Sequence, residues 1–194
     1  MVVAVLGHRG MLGSVVARWL REQGEDVRTS DERGVDWIDG GLVIDCTGDT
    51  TLPAIVAERC ERLIVPSTDA IDEDTPYAAA KREAEKARAV HIRAGIVDIR
   101  QRHAVGYVDW LCDPLTPLEW ARVAWALRDS VTPFTYIRGR HVVDRWTVAT
   151  HVARLWDLAY PVPRYGGYRS RVQVGQGGPW IGQALDEYHA WLTG

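Results

Sequence analysis

The first thirteen residues constrain the fold of this chain more than any other feature. Residues 2–6 read Val-Val-Ala-Val-Leu, and a continuous apolar run of this length predicts a buried parallel strand. A glycine-rich turn follows, and residues 11–23 then carry apolar side chains at helical spacing up to Gly24. The chain therefore opens with a strand, a tight turn and an amphipathic helix.

The turn itself has the spacing G-x-x-G-x-x-G. Gly7 permits the tight turn, Gly10 lets the backbone approach a pyrophosphate, and Gly13 lets the helix pack closely on the strand. The N-terminus of the helix offers free N–H groups and a partial positive charge to phosphates. We therefore predict a dinucleotide site for NAD(H) or NADP(H), with Arg9 either a cationic contact or a solvated surface residue.

The remaining pattern predicts an α/β fold with a doubly wound, mostly parallel Rossmann sheet and a small C-terminal cap. Further strands are predicted at residues 26–30, 42–46, 62–66 and 91–97, with helices at 53–60 and about 77–90. Later helices are predicted from residue 116 to about 129, from about 147 to 158 and from about 180 to 192, with short strands within 134–144. We expect one domain over residues 1–194, in which 1–98 form the cofactor-binding core and 99–194 supply the final sheet elements and the substrate cap.

Composition and charge argue against several classes of protein. A net charge of -3 over 194 residues gives no reason to expect a nucleic-acid partner. No stretch approaches ~20 apolar residues, so we expect no membrane span and a cytoplasmic location. Three scattered cysteines and six histidines without ligand spacing predict neither a disulfide framework nor a metal site.

The second strand ends where the adenosine ribose of a dinucleotide would lie. Asp31 at that point favours the ribose hydroxyls of NAD, while Arg28 and Arg33 nearby keep NADP open. An exposed turn residue is the other interpretation of Asp31. Asp36 is a candidate for flanking the adenine, and Thr47-Gly48 follows the third strand at the edge where the cofactor would pass.

Tyr77 and Lys81 lie four residues apart, which places a phenol and an ammonium on one face of a helix. The ammonium favours the phenolate, so such a tyrosine can exchange a proton with a carbonyl or alcohol oxygen during hydride transfer. Lysine occurs in this arginine-rich chain only at Lys81 and Lys86. The alternative interpretation is that Tyr77 and Lys81 are a pair of side chains on the protein surface with no role in proton transfer. Thr68, directly after the fourth strand, would face the same cleft and orient the reacting oxygen.

These motifs together resemble the extended short-chain dehydrogenase/reductases, and most closely the dTDP-4-dehydrorhamnose reductases. The similarity rests on the glycine turn, on Ser-Thr-Asp at residues 67–69 and on Tyr-x-x-x-Lys-x-x-x-Glu from Tyr77 to Glu85. It implies that Thr68 orients a substrate carbonyl, that Tyr77 donates a proton, and that Lys81 supports both tyrosine and cofactor. It also implies a cofactor lining of Met11, Leu12, Asp31, Asp36, Thr47 and Gly48.

The resemblance implies an NAD(P)-dependent reductase of a keto sugar, either free or nucleotide-linked. It also implies a homodimer paired through the helix that carries Tyr77. The chain departs from the family in having only eight residues between Thr68 and Tyr77, and Ala94-Gly95-Ile96 where the family has an aromatic residue that helps to hold the sugar. Two alternatives therefore stay open. One is a non-catalytic NAD(P)-binding sensor or regulator, and the other is a sugar-nucleotide epimerase or dehydratase.

Overall fold

The computed structural model describes residues 2–30, 35–68, 70–97, 111–112, 114–137, 139, 142–165 and 181–194. It divides the chain into two compact units. The sheet unit comprises residues 1–94 and 117–137, and the C-terminal unit comprises residues 95–116 and 138–194. No helix within the described residues is long and apolar enough to cross a bilayer.

Eight strands and six helices are defined in the described residues. The strands are β1 (Val2–Leu6), β2 (Asp26–Ser30), β3 (Leu42–Asp45), β4 (Arg62–Ser67), β5 (Val90–Arg93), β6 (Leu111–Cys112), β7 (Phe134–Tyr136) and β8 (Val143–Asp144). The helices are α1 (Met11–Glu22), α2 (Leu52–Ala57), α3 (Pro76–Ala84), α4 (Pro117–Ala126), α5 (Arg145–Leu155) and α6 (Ile181–Thr193).

The sheet unit contains a six-stranded sheet in the order β2-β1-β3-β4-β5-β7, and every neighbouring pair is parallel. This confirms the predicted α/β Rossmann sheet. The chain leaves β1 towards β2 on one side and returns to β3 on the other. The carboxyl ends of β1 and β3 therefore form the topological switch point, where ligands bind in open α/β sheets.

Helices cover both faces of this sheet. On one face, α2 packs with side chains from three central strands in a cluster that includes Ala4, Leu6, Val43, Leu52, Val56, Leu63 and Val65. The alternate residues Val3, Val5 and Ile44 point to the opposite face and are also fully buried. Strands with both faces buried in this way show continuous apolar runs, as β1 does.

The helix between β5 and β7 lies on an unexpected face. α4 packs extensively against α1, whereas α2 contacts α3. Because β3, β4, β5 and β7 follow one another in the same direction across the sheet, connections of one hand would place α2, α3 and α4 on one face. α4 lies instead beside α1.

The C-terminal unit is built on α5 and α6. Val97, Val148, Val152, Ile181 and Leu185 form its core. The antiparallel pair β6–β8 and a bridge between Ile96 and Leu115 complete it.

Several elements differ from their predicted bounds: α2 ends at Ala57 rather than 60, β5 ends at Arg93 rather than 97, and α4 ends at Ala126 rather than about 129. α3 ends at Ala84 rather than near residue 90, because the chain turns at Glu85 and enters β5 at Val90. α5 begins at Arg145 rather than 147, because the Asp144 carboxylate caps it by accepting hydrogen bonds from the backbone and hydroxyl of Thr147.

Candidate active site

Two glycines of the opening turn are required by close backbone contacts. Gly7 has φ +72°, and a Cβ there would lie 2.8 Å from the backbone of Cys46 and Thr47. A Cβ on Gly13 would lie 2.3 Å from the carbonyl oxygen of Gly7. Glycine is thus needed at both positions, where the turn meets the start of α1 and the loop after β3.

The first turn of α1 is arranged to receive an anion. Gly10 precedes the helix in an extended conformation, its N–H donates to the carbonyl of Gly7 at 2.9 Å, and no side chain caps the helix. The first turn also contains no acidic residue. The N–H groups from Met11 to Gly13 are therefore presented at the positive end of the helix dipole, with Leu12 buried and Arg9 exposed.

The loop after β3 is shaped by a buried carboxylate. One oxygen of Asp45 accepts from the Thr47 backbone N–H at 2.9 Å and from the Thr47 hydroxyl at 2.7 Å. The Thr47 hydroxyl in turn accepts from the backbone N–H of Asp49. These bonds hold Thr47 and the exposed Gly48, at φ +76°, beside the opening turn. Asp45 is not among the residues predicted from the sequence, although an acid at the end of the apolar run Leu-Val-Ile-Asp is a signal that could have found it.

Helix α3 carries the predicted proton-transfer pair. Thr75 caps the helix by accepting from the backbone N–H of Ala78 at 3.1 Å. Tyr77 is 58% exposed, whereas Lys81 is only 9% exposed. The Lys81 ammonium donates to the carbonyl oxygen of Pro66 at 3.3 Å and lies 5.9 Å from the centroid of the Tyr77 ring. The structure therefore brings Lys81 from α3 to the carboxyl end of β4.

Thr68 lies at this same end of β4, two residues beyond Pro66. Its side chain is buried, and its hydroxyl oxygen accepts from the backbone N–H of Ala70 at 3.1 Å. Thr68, Lys81 and the loop at Thr47 thus belong to the carboxyl edge of one sheet.

A buried polar network ties α3 to the sheet behind this pair. Glu85 accepts from the Ser67 hydroxyl at 2.7 Å and forms a two-pronged ion pair with Arg93 on β5. The Arg93 guanidinium also stacks against Phe134 and Tyr136 on β7. Burial opposes ionisation of Glu85, but the hydrogen bonds from Arg93 and Ser67 hold its pKa below the usual value. The sequence motif included Glu85 without indicating this role.

Burial also shifts the ionisation of Lys81 and Asp45. Burial lowers the pKa of Lys81, and the negative charges of Asp45 and Glu85 counteract that shift. Burial raises the pKa of Asp45, while hydrogen bonds from Thr47 and the positive charge of Lys81 counteract it. The two groups thus interact electrostatically at the switch-point side of the sheet.

Two further residues, Asp31 and Asp36, are predicted cofactor contacts. Asp36 is exposed and pairs with Arg59 at 3.1 Å, beyond the end of α2. Asp31 lies outside the described residues. The roles of both residues at the adenosine end stay predictions.

The comparisons with known proteins find a similar fold but no matching sequence family. No family model matches the chain. No curated protein matches it either. Solved structures do match over the full chain. A dTDP-4-dehydrorhamnose reductase from Clostridium acetobutylicum is 14% identical, with a TM-score of 0.68 and coverage of 100% of both chains.

Two further matches are a dTDP-glucose 4,6-dehydratase from Bacillus anthracis, solved in complex with NAD, and a UDP-N-acetylglucosamine 4-epimerase from Bacillus cereus. The dehydratase is 11% identical with a TM-score of 0.71, covering 100% of this chain and 96% of its own. The epimerase is 14% identical with a TM-score of 0.68, covering 100% of both chains. The fold is that of these enzymes. The resemblance drawn from the motifs is thereby confirmed at the level of the fold.

Proposed function

We propose that this chain is an NAD(P)-dependent oxidoreductase that reduces a keto sugar linked to a nucleotide, such as dTDP-4-dehydrorhamnose. One observation carries the proposal. Lys81 is buried at the carboxyl edge of the sheet, one helical turn from Tyr77, on the edge that also bears the glycine turn. A pair on the solvent-facing side of a helix would not bury its ammonium.

The residues present fit a dinucleotide. Gly7 and Gly13 let the backbone of the opening turn approach the loop at Thr47 and the start of α1 closely, and the uncapped start of α1 suits a pyrophosphate. Thr47 and Gly48 would line the path of the cofactor away from the turn. A bound NAD(P)H supplies the hydride. That the similar dehydratase was solved with NAD supports this cofactor class.

The chain's own groups would supply the proton and the orientation. The Tyr77 phenol donates a proton to the substrate oxygen, and the Lys81 ammonium stabilises the phenolate that results. The Thr68 hydroxyl donates a hydrogen bond to the same oxygen and holds the carbonyl in place. The exposure of Tyr77 suits a group that must reach a substrate entering from solvent.

Binding and turnover test the proposal separately. Purified protein is titrated with NADH and NADPH by nucleotide fluorescence, and oxidation of the bound cofactor is then followed with a panel of keto-sugar nucleotides. We expect binding of at least one cofactor and turnover with at least one substrate. Tyr77→Phe should retain cofactor affinity within about twofold and lower kcat by about 10²-fold or more, because it removes only the donated proton.

The control is Tyr136→Phe, which alters a tyrosine on β7 that contacts Arg93 and should leave kcat nearly unchanged. Binding without turnover on the whole panel, with no effect of Tyr77→Phe, would favour a non-catalytic sensor. Isomerised or dehydrated sugar without net cofactor oxidation would favour an epimerase or dehydratase instead.

A further inference from the structure

Lys81 is a buried cation whose hydrogen-bond acceptor, the carbonyl oxygen of Pro66, carries no net charge. A buried ammonium without an opposite charge is costly, because a neutral dipole replaces only part of the lost hydration. A carboxylate close to Lys81 is therefore needed if the side chain is to stay charged in this position.

Two carboxyl groups interact electrostatically with Lys81, namely Asp45 and Glu85. Both oxygens of Glu85 are already engaged, since one accepts from Ser67 and both accept from Arg93. The Arg93 guanidinium neutralises the charge of Glu85. Glu85 thus pairs directly with Arg93 rather than with Lys81.

Asp45 is differently placed. Its first oxygen accepts both hydrogen bonds from Thr47, whereas its second oxygen is buried and has no hydrogen-bond partner. Asp45 is the last residue of β3, and β3 pairs with β4, the strand whose Pro66 receives the Lys81 ammonium. An uncommitted carboxylate oxygen therefore lies on the strand next to the Lys81 contact.

We propose that Asp45 is a positioning residue that acts at two points of the site. Through one oxygen it shapes the turn at Thr47 and Gly48. Its negative charge, on the strand next to the Lys81 contact, stabilises the Lys81 ammonium without a direct hydrogen bond. Asp45 does not touch a reacting atom in this scheme. It favours the protonated form of Lys81, whose ammonium the Pro66 carbonyl holds at the sheet edge.

This inference rests on the proposed function for its catalytic meaning, because a charged Lys81 is what stabilises the Tyr77 phenolate. The charges that face Lys81 are Asp45 and Glu85, with His91 on β5 also interacting with it. Those that face Asp45 are Asp49 and Lys81. Neutralising Asp45 should therefore change the titration of Lys81 more than neutralising any other of these groups.

The ionisation of Lys81 can be followed directly by NMR, because the only lysines of the chain are Lys81 and Lys86. Protein labelled with ¹³C-lysine is titrated by NMR, and the two side-chain signals are assigned with Lys86→Arg. Lys86 is exposed and pairs with Glu83 on the surface, so it serves as an internal reference. In the wild-type protein we expect the pKa of Lys81 to lie below the ordinary lysine value, because the ammonium is buried.

Asp45→Asn retains an oxygen that can accept from Thr47 but removes the negative charge. We expect it to lower the titration midpoint of Lys81 by about 1 pH unit and to leave Lys86 unchanged. Glu85→Gln should move Lys81 less. An unchanged Lys81 signal in Asp45→Asn, or a larger shift in Glu85→Gln, would overturn the inference.

A reciprocal measurement covers the case in which Asp45→Asn fails to fold. Wild-type protein and Lys81→Met are both labelled with ¹³C-aspartate, and the titration midpoint of the Asp45 carboxyl signal is compared between them. Loss of the ammonium should raise the midpoint of Asp45, and an unchanged midpoint would contradict the pairing. Because neither titration requires a substrate, a failed search for turnover would count against the proposed function alone.

Discussion

A methyl group added at Gly13 would prevent α1 from beginning at its present position. The position is helical, so alanine would ordinarily be favoured over glycine there by about 1 kcal/mol. A Cβ, however, would sit 2.3 Å from the carbonyl oxygen of Gly7, which belongs to the backbone and cannot rotate away. The steric cost therefore outweighs the propensity gain, and the turn must deform.

Gly13→Ala is expected to lower the free energy of unfolding by about 1–3 kcal/mol and to weaken cofactor binding, because overpacking shifts the turn away from the helix. Chemical denaturation and the NADH titration measure the two effects. Ser14→Ala is the matched control, since its hydroxyl only donates back to the carbonyl of Met11. Equal stability of Gly13→Ala and the wild type would contradict the close contact.

At the scale of elements, α3 is attached to the sheet by polar rather than apolar contacts. Three residues of this helix are buried, and they are Ala78, Lys81 and Ala84. The alanines are small, so burial supplies little stabilisation per residue. The Glu85–Arg93 ion pair and the Ser67–Glu85 hydrogen bond are therefore expected to hold the end of the helix, and with it Lys81, at the edge of β4.

Glu85→Gln is expected to destabilise the protein by about 3 kcal/mol, because it leaves the largely buried Arg93 without its counter-charge. Glu83→Gln provides the control on the same helix. Glu83 pairs with Lys86 at the surface, and loss of that pair should cost less than about 1 kcal/mol. Similar unfolding curves for the two variants would show that the network does not hold α3.

The same pair predicts a pH dependence. The pKa of Glu85 is lower in the folded than in the unfolded chain, so its stabilising contribution is fully present above the ordinary value of about 4.3. That contribution is lost as the pH falls through the lowered pKa. The difference in stability between wild type and Glu85→Gln should accordingly shrink below about pH 4.3 in denaturant titrations.

At the scale of the whole molecule, the sheet unit contains every described residue to which we assign a catalytic or cofactor-binding role. We retain the proposal that residues 99–194 supply the final sheet elements and the substrate cap. We also retain the proposal that the protein forms a homodimer, which molecular mass in solution would test against the 21.7 kDa of one chain.

Cofactor binding should stabilise the whole molecule by linkage. At a concentration of about 100 times the Kd, NADH or NADPH is expected to add about 2.7 kcal/mol, which corresponds to a rise in Tm of roughly 5–10 °C for a chain of this size. Thermal unfolding measures the shift. Nicotinamide alone lacks the pyrophosphate and should produce none, and the absence of a shift with both dinucleotides would contradict the cofactor assignment.

The sequence by itself determined the opening strand, turn and helix, and the parallel α/β class, because these follow from local periodicity and from backbone conformations that only glycine adopts readily. It also placed Thr68 directly after the fourth strand, and it placed Tyr77 and Lys81 on one helix. Local patterns of this kind carry no information about which distant groups share a buried volume.

Only the tertiary structure decided which charges meet. Pairing of β3 with β4 brings the end of one strand beside the Lys81 contact on the next, and this gives Asp45 a role that its position in an apolar run did not reveal. Packing likewise placed α4 against α1 and ended α3 at Ala84. The opening glycine turn can thus be predicted from the sequence alone. The negative charge near Lys81, in contrast, depends on the pairing of strands whose residues are far apart in sequence.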